Sequence, residues 1–234
     1  MKIFKILDND IIKIYKDKNL SQIAGNMSFK LMLSIFPFLL IALNILSFLQ
    51  LDFHELTMQI GDYVPAEIIN ILESLNPANG LSILALLILL YNATKGFSAM
   101  INGINSLYLE SERRKSSIYG ISLLLFILFV ASLIFSIIFR GLGIFIIFFT
   151  VLIINILAIK PRVKIKKLLP GCFFVTFAWL ILSFGFNIYI NNFSNMTLLY
   201  GSIGGVMVLL IWLNLMCNTL LFGSVLNVLS ERKR

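Results

Sequence analysis

Charged residues are scarce in this chain, at 13% of its 234 residues, whereas soluble domains carry about 25%. Histidine is scarcer still, because His54 is the only one. No group of His, Cys, Asp and Glu occurs at the spacing of metal ligands. The sequence therefore predicts no metal site, no cofactor and no catalytic residue, and its composition argues against a soluble fold.

Cysteine occurs only twice, as Cys172 and Cys217, and each lies inside an apolar run. Two cysteines placed in this way form neither a disulfide framework nor a zinc site, so we interpret them as buried small side chains. The pattern of a cleavable signal peptide is missing too. The first apolar run begins near residue 30, behind a long charged segment, which predicts that this run is retained as a membrane span.

Apolar residues make up 59% of the chain, the mean hydropathy is +0.95, and these residues are gathered into long runs. A helix of about 20 apolar residues crosses the roughly 30 Å of bilayer hydrocarbon, because each residue rises about 1.5 Å. We therefore predict an all-α, multi-pass membrane protein with six transmembrane helices. The predicted spans are residues 29–51, 81–100, 117–139, 141–160, 169–190 and 198–229.

Lysine and arginine alternate between the segments that separate these runs. Their counts from the N-terminus to the C-terminus are 6, 0, 3, 1, 5, 0 and 3, with Lys95 set aside. Cytoplasmic loops are enriched in these residues, so the pattern predicts that both termini lie in the cytoplasm. The net charge of +8 is spread over these loops and does not form one patch, so no nucleic-acid partner is predicted.

The N-terminal segment, residues 1–28, precedes the six-helix membrane domain at residues 29–230. Its apolar residues recur at helical spacing with lysines and aspartates between them, which predicts an amphipathic helix on the inner surface of the membrane. A second, short amphipathic helix is predicted at residues 65–75, on the outer face. An alternative interpretation of both is a solvated helix packed on the bundle.

Polar side chains recur inside the predicted spans, where hydrocarbon offers no hydrogen-bond partner. On the second span Asn92, Lys95 and Asn102 share one helical face. We predict that this face lines a cavity open to the cytoplasm, in which Lys95 attracts anions. The further cavity candidates are Arg140, Asn187, Asn214 and Asn218. Two alternatives stay open, because such groups also join membrane helices by hydrogen bonds, and lysine or arginine can extend to the interface.

Three glycines and one proline are predicted to shape helix packing. Gly201 and Gly205 have the GxxxG spacing, with Gly204 between them, and small residues let membrane helices approach closely. This surface serves packing within the chain or a dimer contact. Pro37 lies inside the first span, where proline bends the helix or frees backbone carbonyls toward a cavity.

Three stretches resemble the YihY/BrkB family of bacterial inner-membrane proteins. They are AGNMSFKLMLSIFPFLL at 24–40, TKGFSAMINGINSLYLESERR at 94–114, and LLPG at 168–171 followed by NNFSNMTLLYGSIGGVMVLLIWLNLMCNTLLFGSVLN at 191–227. The resemblance covers nearly the whole chain and implies a six-helix inner-membrane protein. It also implies an old ribonuclease label and an association with virulence and the cell envelope. One departure is Val225, where the family pattern Gly-Ala-Glu-Leu-Asn has glutamate.

We predict a transporter or permease-like protein for an anionic or zwitterionic solute or a lipid headgroup. Its expected partners are the bilayer and an anionic lipid or small solute. The alternative is a membrane scaffold that takes part in envelope assembly without transport. We expect no ribonuclease activity, because the predicted inner loops hold too few carboxylates for the Mg²⁺ ions of phosphodiester hydrolysis. Glu110 and Glu112, beside Arg113 and Arg114, are more simply a solvated turn.

Overall fold

A computed structural model describes six stretches of the chain. They are residues 14–48, 83–108, 115–138, 142–159, 163–192 and 196–232. Arg140, the predicted helix at residues 65–75 and the first 13 residues of the N-terminal segment lie outside the described residues.

Helices account for nearly all of the described residues. The α-helices are α1 (Leu20–Phe48), α2 (Ile83–Asn105), α3 (Lys115–Ile138), α4 (Gly143–Ala158), α5 (Ile165–Asn192) and α6 (Met196–Arg232), and a 3₁₀ turn, η1 (Ser106–Tyr108), follows α2. No strand occurs among the residues that the structure describes. The all-α class is therefore confirmed, and each α-helix overlaps one predicted span.

Two of these helices contain segments long and apolar enough to cross a membrane. They are Ile165–Tyr189 in α5 and Val206–Glu231 in α6. Shorter apolar helices are Ser117–Ser132 and Gly143–Ala158. With 37 residues, α6 is about 55 Å long at about 1.5 Å per residue, well beyond about 30 Å of hydrocarbon. The number of spans and their direction stay predictions.

The chain divides into two compact units. One is Leu33–Ala93, whose described part is the C-terminal half of α1 and the beginning of α2. The other comprises Met1–Met32 and Thr94–Arg234. In this larger unit α3 packs on α4, α4 on α5, α5 on α6, and η1 lies against α6. The α5–α6 contact is the most extensive of these, and it positions the residues of the candidate site.

Large apolar side chains cover the outside of the described helices. Phe184 is 70% exposed and Phe177 is 68% exposed, both on α5. Many exposed large apolar side chains are unusual on a soluble protein, whereas in hydrocarbon they are favourable, because no apolar surface then faces water. The surface of the described helices is thus suited to lipid contact.

Candidate functional site

A buried asparagine joins α4 to α6. Asn155 is 1% exposed, and its Oδ1 accepts a hydrogen bond from Asn227 Nδ2 at 3.4 Å. The Ser224 hydroxyl lies 3.2 Å from the same Oδ1 and 3.0 Å from the Leu220 carbonyl, so its one proton is shared between these two acceptors. Asn155 Nδ2 donates to the Val151 carbonyl, one turn back in α4, at 2.9 Å. Ser224 and Asn227 are each 0% exposed. Polar groups in an apolar interior are expensive unless paired, and here each of the three has a partner.

The same hydrogen-bonded group also reaches α5, at Gly171, the last residue of the LLPG motif. Gly171 donates its backbone N–H to Asn227 Oδ1 at 2.8 Å. Pro170 carries no N–H, and its ring crowds the carbonyl of the preceding turn, which favours donation from the next N–H to a neighbouring helix. Gly171 also lies against α6 so closely that an added Cβ would collide with the carbonyl oxygen of Gly223 and with the Asn227 side chain. We define the asparagine junction as Asn155, Gly171, Gly223, Ser224 and Asn227.

The sequence pattern does not predict this junction, because Asn155 belongs to no polar stripe and Asn227 belongs only to the family motif. The signal in the sequence is one asparagine in α4, GIFIIFFTVLIINILA, whose other polar side chain is Thr150. Val225, which stands where the family pattern has glutamate, is 1% exposed on α6 beside Ser224. A carboxylate at this position would therefore be buried.

Two of the predicted cavity residues lie together on α6. Asn218 Nδ2 donates to Asn214 Oδ1 at 2.6 Å and to the Asn214 carbonyl at 2.9 Å. Asn218 Oδ1 in turn accepts a hydrogen bond from the Tyr15 hydroxyl at 3.0 Å. The described end of the N-terminal segment is therefore in contact with α6, which agrees with packing on the bundle for this part of the segment.

The other predicted site residues do not form one group. Lys95 and Asn102 are exposed on α2, whereas Asn92 and Asn187 are half-buried. Pro37 is half-buried inside α1, which continues through it as one helix. The three glycines of the GxxxG surface lie within α6. A cavity-lining role for Lys95 and its neighbours on α2 stays a prediction.

An apolar groove of about 310 Å³ lies between α2, α3 and α4. Its lining includes Phe97 of α2, Leu125, Phe129, Ala131 and Phe135 of α3, and Phe149 of α4. Phe97 and Phe129 contact each other with ring centroids 5.6 Å apart. Two hydroxyls also line the groove, but each donates within its own helix: Ser132 to the Phe129 carbonyl at 2.7 Å and Thr150 to the Ile146 carbonyl at 2.8 Å. The groove thus offers hydrocarbon contacts and little hydrogen bonding.

The C-terminal end of α6 is joined to α5 and η1. Lys167 Nζ donates to the Glu231 carbonyl at 3.0 Å. Tyr108 of η1 is 9% exposed, and burial, reinforced by the nearby Glu231 carboxylate, raises the pKa of its phenol above the ordinary value, so the phenol stays neutral. Within the described ranges, no group of three or more His, Cys, Asp or Glu is placed to hold a metal ion.

Comparison with known proteins identifies a family and one relative. The sequence model of the BrkB virulence-factor family matches residues 11–234. The chain is 24% identical to the ribonuclease-like protein YfkH of Bacillus subtilis (strain 168) over 247 residues, which cover 90% of each chain. No solved structure matches.

Proposed function

The chain belongs to the BrkB family, and from this membership and the loop charges we propose that it crosses the bacterial cytoplasmic membrane six times, with both termini inside. It is a membrane protein of all-helical architecture. The six α-helices coincide with the six apolar runs, and the alternation of lysine and arginine between the runs supports the direction of each.

This topology predicts opposite exposure for two single cysteines. In a chain with Cys172 and Cys217 replaced by alanine, a cysteine at residue 60 should react with a membrane-impermeant thiol reagent added outside intact cells. A cysteine at residue 165 should react only after the reagent reaches the cytoplasm. Labelling of both positions from the same side would contradict the six-span arrangement.

We propose further that the protein is permease-like and handles an amphipathic lipid with an anionic or zwitterionic headgroup. The observation that carries this proposal is the apolar groove. Its hydroxyls are already bonded within their helices, so an occupant gains there by burying hydrocarbon. At about 310 Å³ the groove is at the lower end of the roughly 300–1,000 Å³ of small-molecule sites.

The dimensions of the groove suit one acyl chain. Along α3 its lining runs from Leu125 to Phe135, which is about 15 Å at about 1.5 Å per residue. One leaflet contributes about half of the roughly 30 Å of bilayer hydrocarbon. The lining of the groove therefore has about the length of the acyl region of one leaflet.

A cation outside the groove is available for the headgroup. Lys95 is exposed on α2, but it does not line the groove, because it and Phe97, two residues later, lie on opposite faces of the helix. A lysine in the cytoplasmic third of a span can extend its ammonium group to the interface, where it attracts an anionic headgroup. We propose this role for Lys95, with Asn102 as a neighbouring polar group on the same helix; Asn92 remains a candidate in the other compact unit.

Filling the groove tests the acyl-chain proposal. Ala131→Trp places a large ring in the groove and should lower the amount of phospholipid that co-purifies with the protein by about half or more, because packed interiors leave little spare volume. Leu124→Trp is the matched control, since Leu124 is 44% exposed on the same helix and does not line the groove. Native mass spectrometry from mild detergent measures the bound lipid.

The control variant Leu124→Trp should retain the parent level of bound phospholipid. If Ala131→Trp binds as much phospholipid as Leu124→Trp, the groove is not a lipid site. A chain with no bound lipid in either variant or in the parent would also contradict the proposal.

A non-transporting scaffold is the second candidate function, and the asparagine junction favours it. Its polar groups are fully buried and bonded to one another, as in a rigid support. Neither function requires enzyme chemistry, and we propose none. A scaffold would leave lipid flux across proteoliposomes unchanged, whereas a permease would accelerate it.

A further inference from the structure

The helical turn at residues 14–17 is separated from α1 by Lys18 and Asn19, and Asn19 has an unusual backbone conformation. Residues 14–17 form a helical turn, and Asn19 has φ 48°. Positive φ is uncommon for residues other than glycine, and asparagine tolerates it best. The Gln22 and Ile23 N–H groups then donate to the Asn19 carbonyl at 2.9 and 3.2 Å as α1 begins. The chain therefore changes direction sharply at Asn19.

Two hydrogen bonds hold the turn before Asn19 against the rest of the larger unit. The Tyr15 hydroxyl donates to Asn218 Oδ1 at 3.0 Å, and Lys18 Nζ donates to the Ser106 carbonyl at 2.7 Å. The first bond reaches α6 and the second reaches η1, and both partners are far from the turn in sequence. The turn thus connects α6 with η1, the short element after α2.

Tyr15 completes the hydrogen bonding of the Asn214–Asn218 pair on α6. Asn218 uses its amide N–H groups on Asn214, and its remaining acceptor, Oδ1, takes the Tyr15 hydroxyl. An amide pair on an apolar helix is unfavourable toward lipid. A tyrosine suits this position, because its ring covers apolar surface while its hydroxyl satisfies the polar group.

We propose that residues 14–18 form a hinged cover over the Asn214–Asn218 pair, with Asn19 as the hinge. Among the described residues, two hydrogen bonds of modest strength hold the cover, and opening breaks them without unfolding the helices beneath. Asn214 and Asn218 are half-buried when the cover is closed, and opening exposes both amides more fully to water or to a polar ligand. The opening of this cover does not depend on the apolar groove, which lies on other helices.

The hinge allows a test that leaves Tyr15 and Asn218, the two residues of the cover contact, unchanged. Asn19→Val should open the cover, because a β-branched residue is strained at positive φ, whereas Asn19→Gly adopts this φ freely. The readout is a cysteine at Asn214 in a chain with Cys172→Ala and Cys217→Ala. Its reaction with an impermeant thiol reagent added to inside-out vesicles should be about tenfold faster with Asn19→Val than with Asn19→Gly, as for a shift in the open population.

A second measurement guards against misfolding. Cysteines placed at Tyr15 and Asn218 would be too far apart for a direct disulfide, because the long tyrosine side chain keeps the two backbones apart. A short bifunctional thiol reagent should therefore join them. This second chain keeps Asn214, because a cysteine there would lie one helical turn from residue 218 and compete for the reagent. The linked chain should elute as a folded species. Equal labelling rates for Asn19→Val and Asn19→Gly, or no cross-link between residues 15 and 218, would overturn the cover. Lipid binding in the Ala131→Trp experiment is unaffected by either result.

Discussion

Gly171→Ala is expected to cause the largest loss of stability of any single methyl added to a glycine of α5. The new Cβ would meet the Gly223 carbonyl oxygen and the Asn227 side chain. Because this carbonyl is part of the α6 backbone, relieving the collision would require α6 to shift away from α5. The α5–α6 contact is the most extensive in the larger unit, so separating these helices affects the whole of it. We expect a loss of about 3 kcal/mol, at the upper end of overpacking costs.

The matched control is Gly185→Ala on the same helix. A Cβ at Gly185 meets no atom of the described part of the chain within 4 Å. Alanine stabilises an exposed helix interior over glycine by roughly 0.5–1 kcal/mol, so this variant should be equal to the parent or slightly more stable. Reversible unfolding in mixed detergent micelles measures both. Equal stability of Gly171→Ala and Gly185→Ala would mean that the close helix approach at Gly171 is not present in the membrane.

Asn227→Leu is expected to have the second largest effect. Leucine has the same branched side-chain skeleton as asparagine, but it removes the acceptor of the Gly171 N–H and a donor to Asn155 Oδ1. A buried group left without its partner costs about 1–3 kcal/mol, and hydrocarbon supplies no replacement. We expect a loss of about 2 kcal/mol by the same unfolding measurement.

Two comparisons make this result specific. Asn102→Leu changes the same residue type at an exposed position of α2 and should alter stability by less than about 0.5 kcal/mol. Asn155→Leu combined with Asn227→Leu should cost less than the sum of the two single changes, because the residues share one hydrogen-bonded group. Additive losses would show that Asn155 and Asn227 act independently and that the junction is not a unit.

The sequence by itself determined the class of the protein and the positions of its helices. Long apolar runs have few alternatives in a bilayer, because every backbone N–H and C=O must be bonded within its own segment. For this reason each of the six described α-helices overlaps a predicted run, although α1 begins at Leu20, before the run that starts at residue 29. The resemblance to the BrkB family agrees with the match over residues 11–234. These properties are local, since they depend on composition and spacing along the chain.

Only the tertiary structure decided which polar residues meet. Asn155 and Asn227 are 72 positions apart and Tyr15 and Asn218 are 203 apart, and no helical periodicity relates one helix to another. Lys95 and Asn102 have the spacing of a common face on α2, yet that spacing does not say whether the face lies inward; in the structure both are exposed. The groove likewise depends on how α2, α3 and α4 pack together. Helix faces follow from the sequence, whereas their partners are set by packing geometry and close approach at residues such as Gly171.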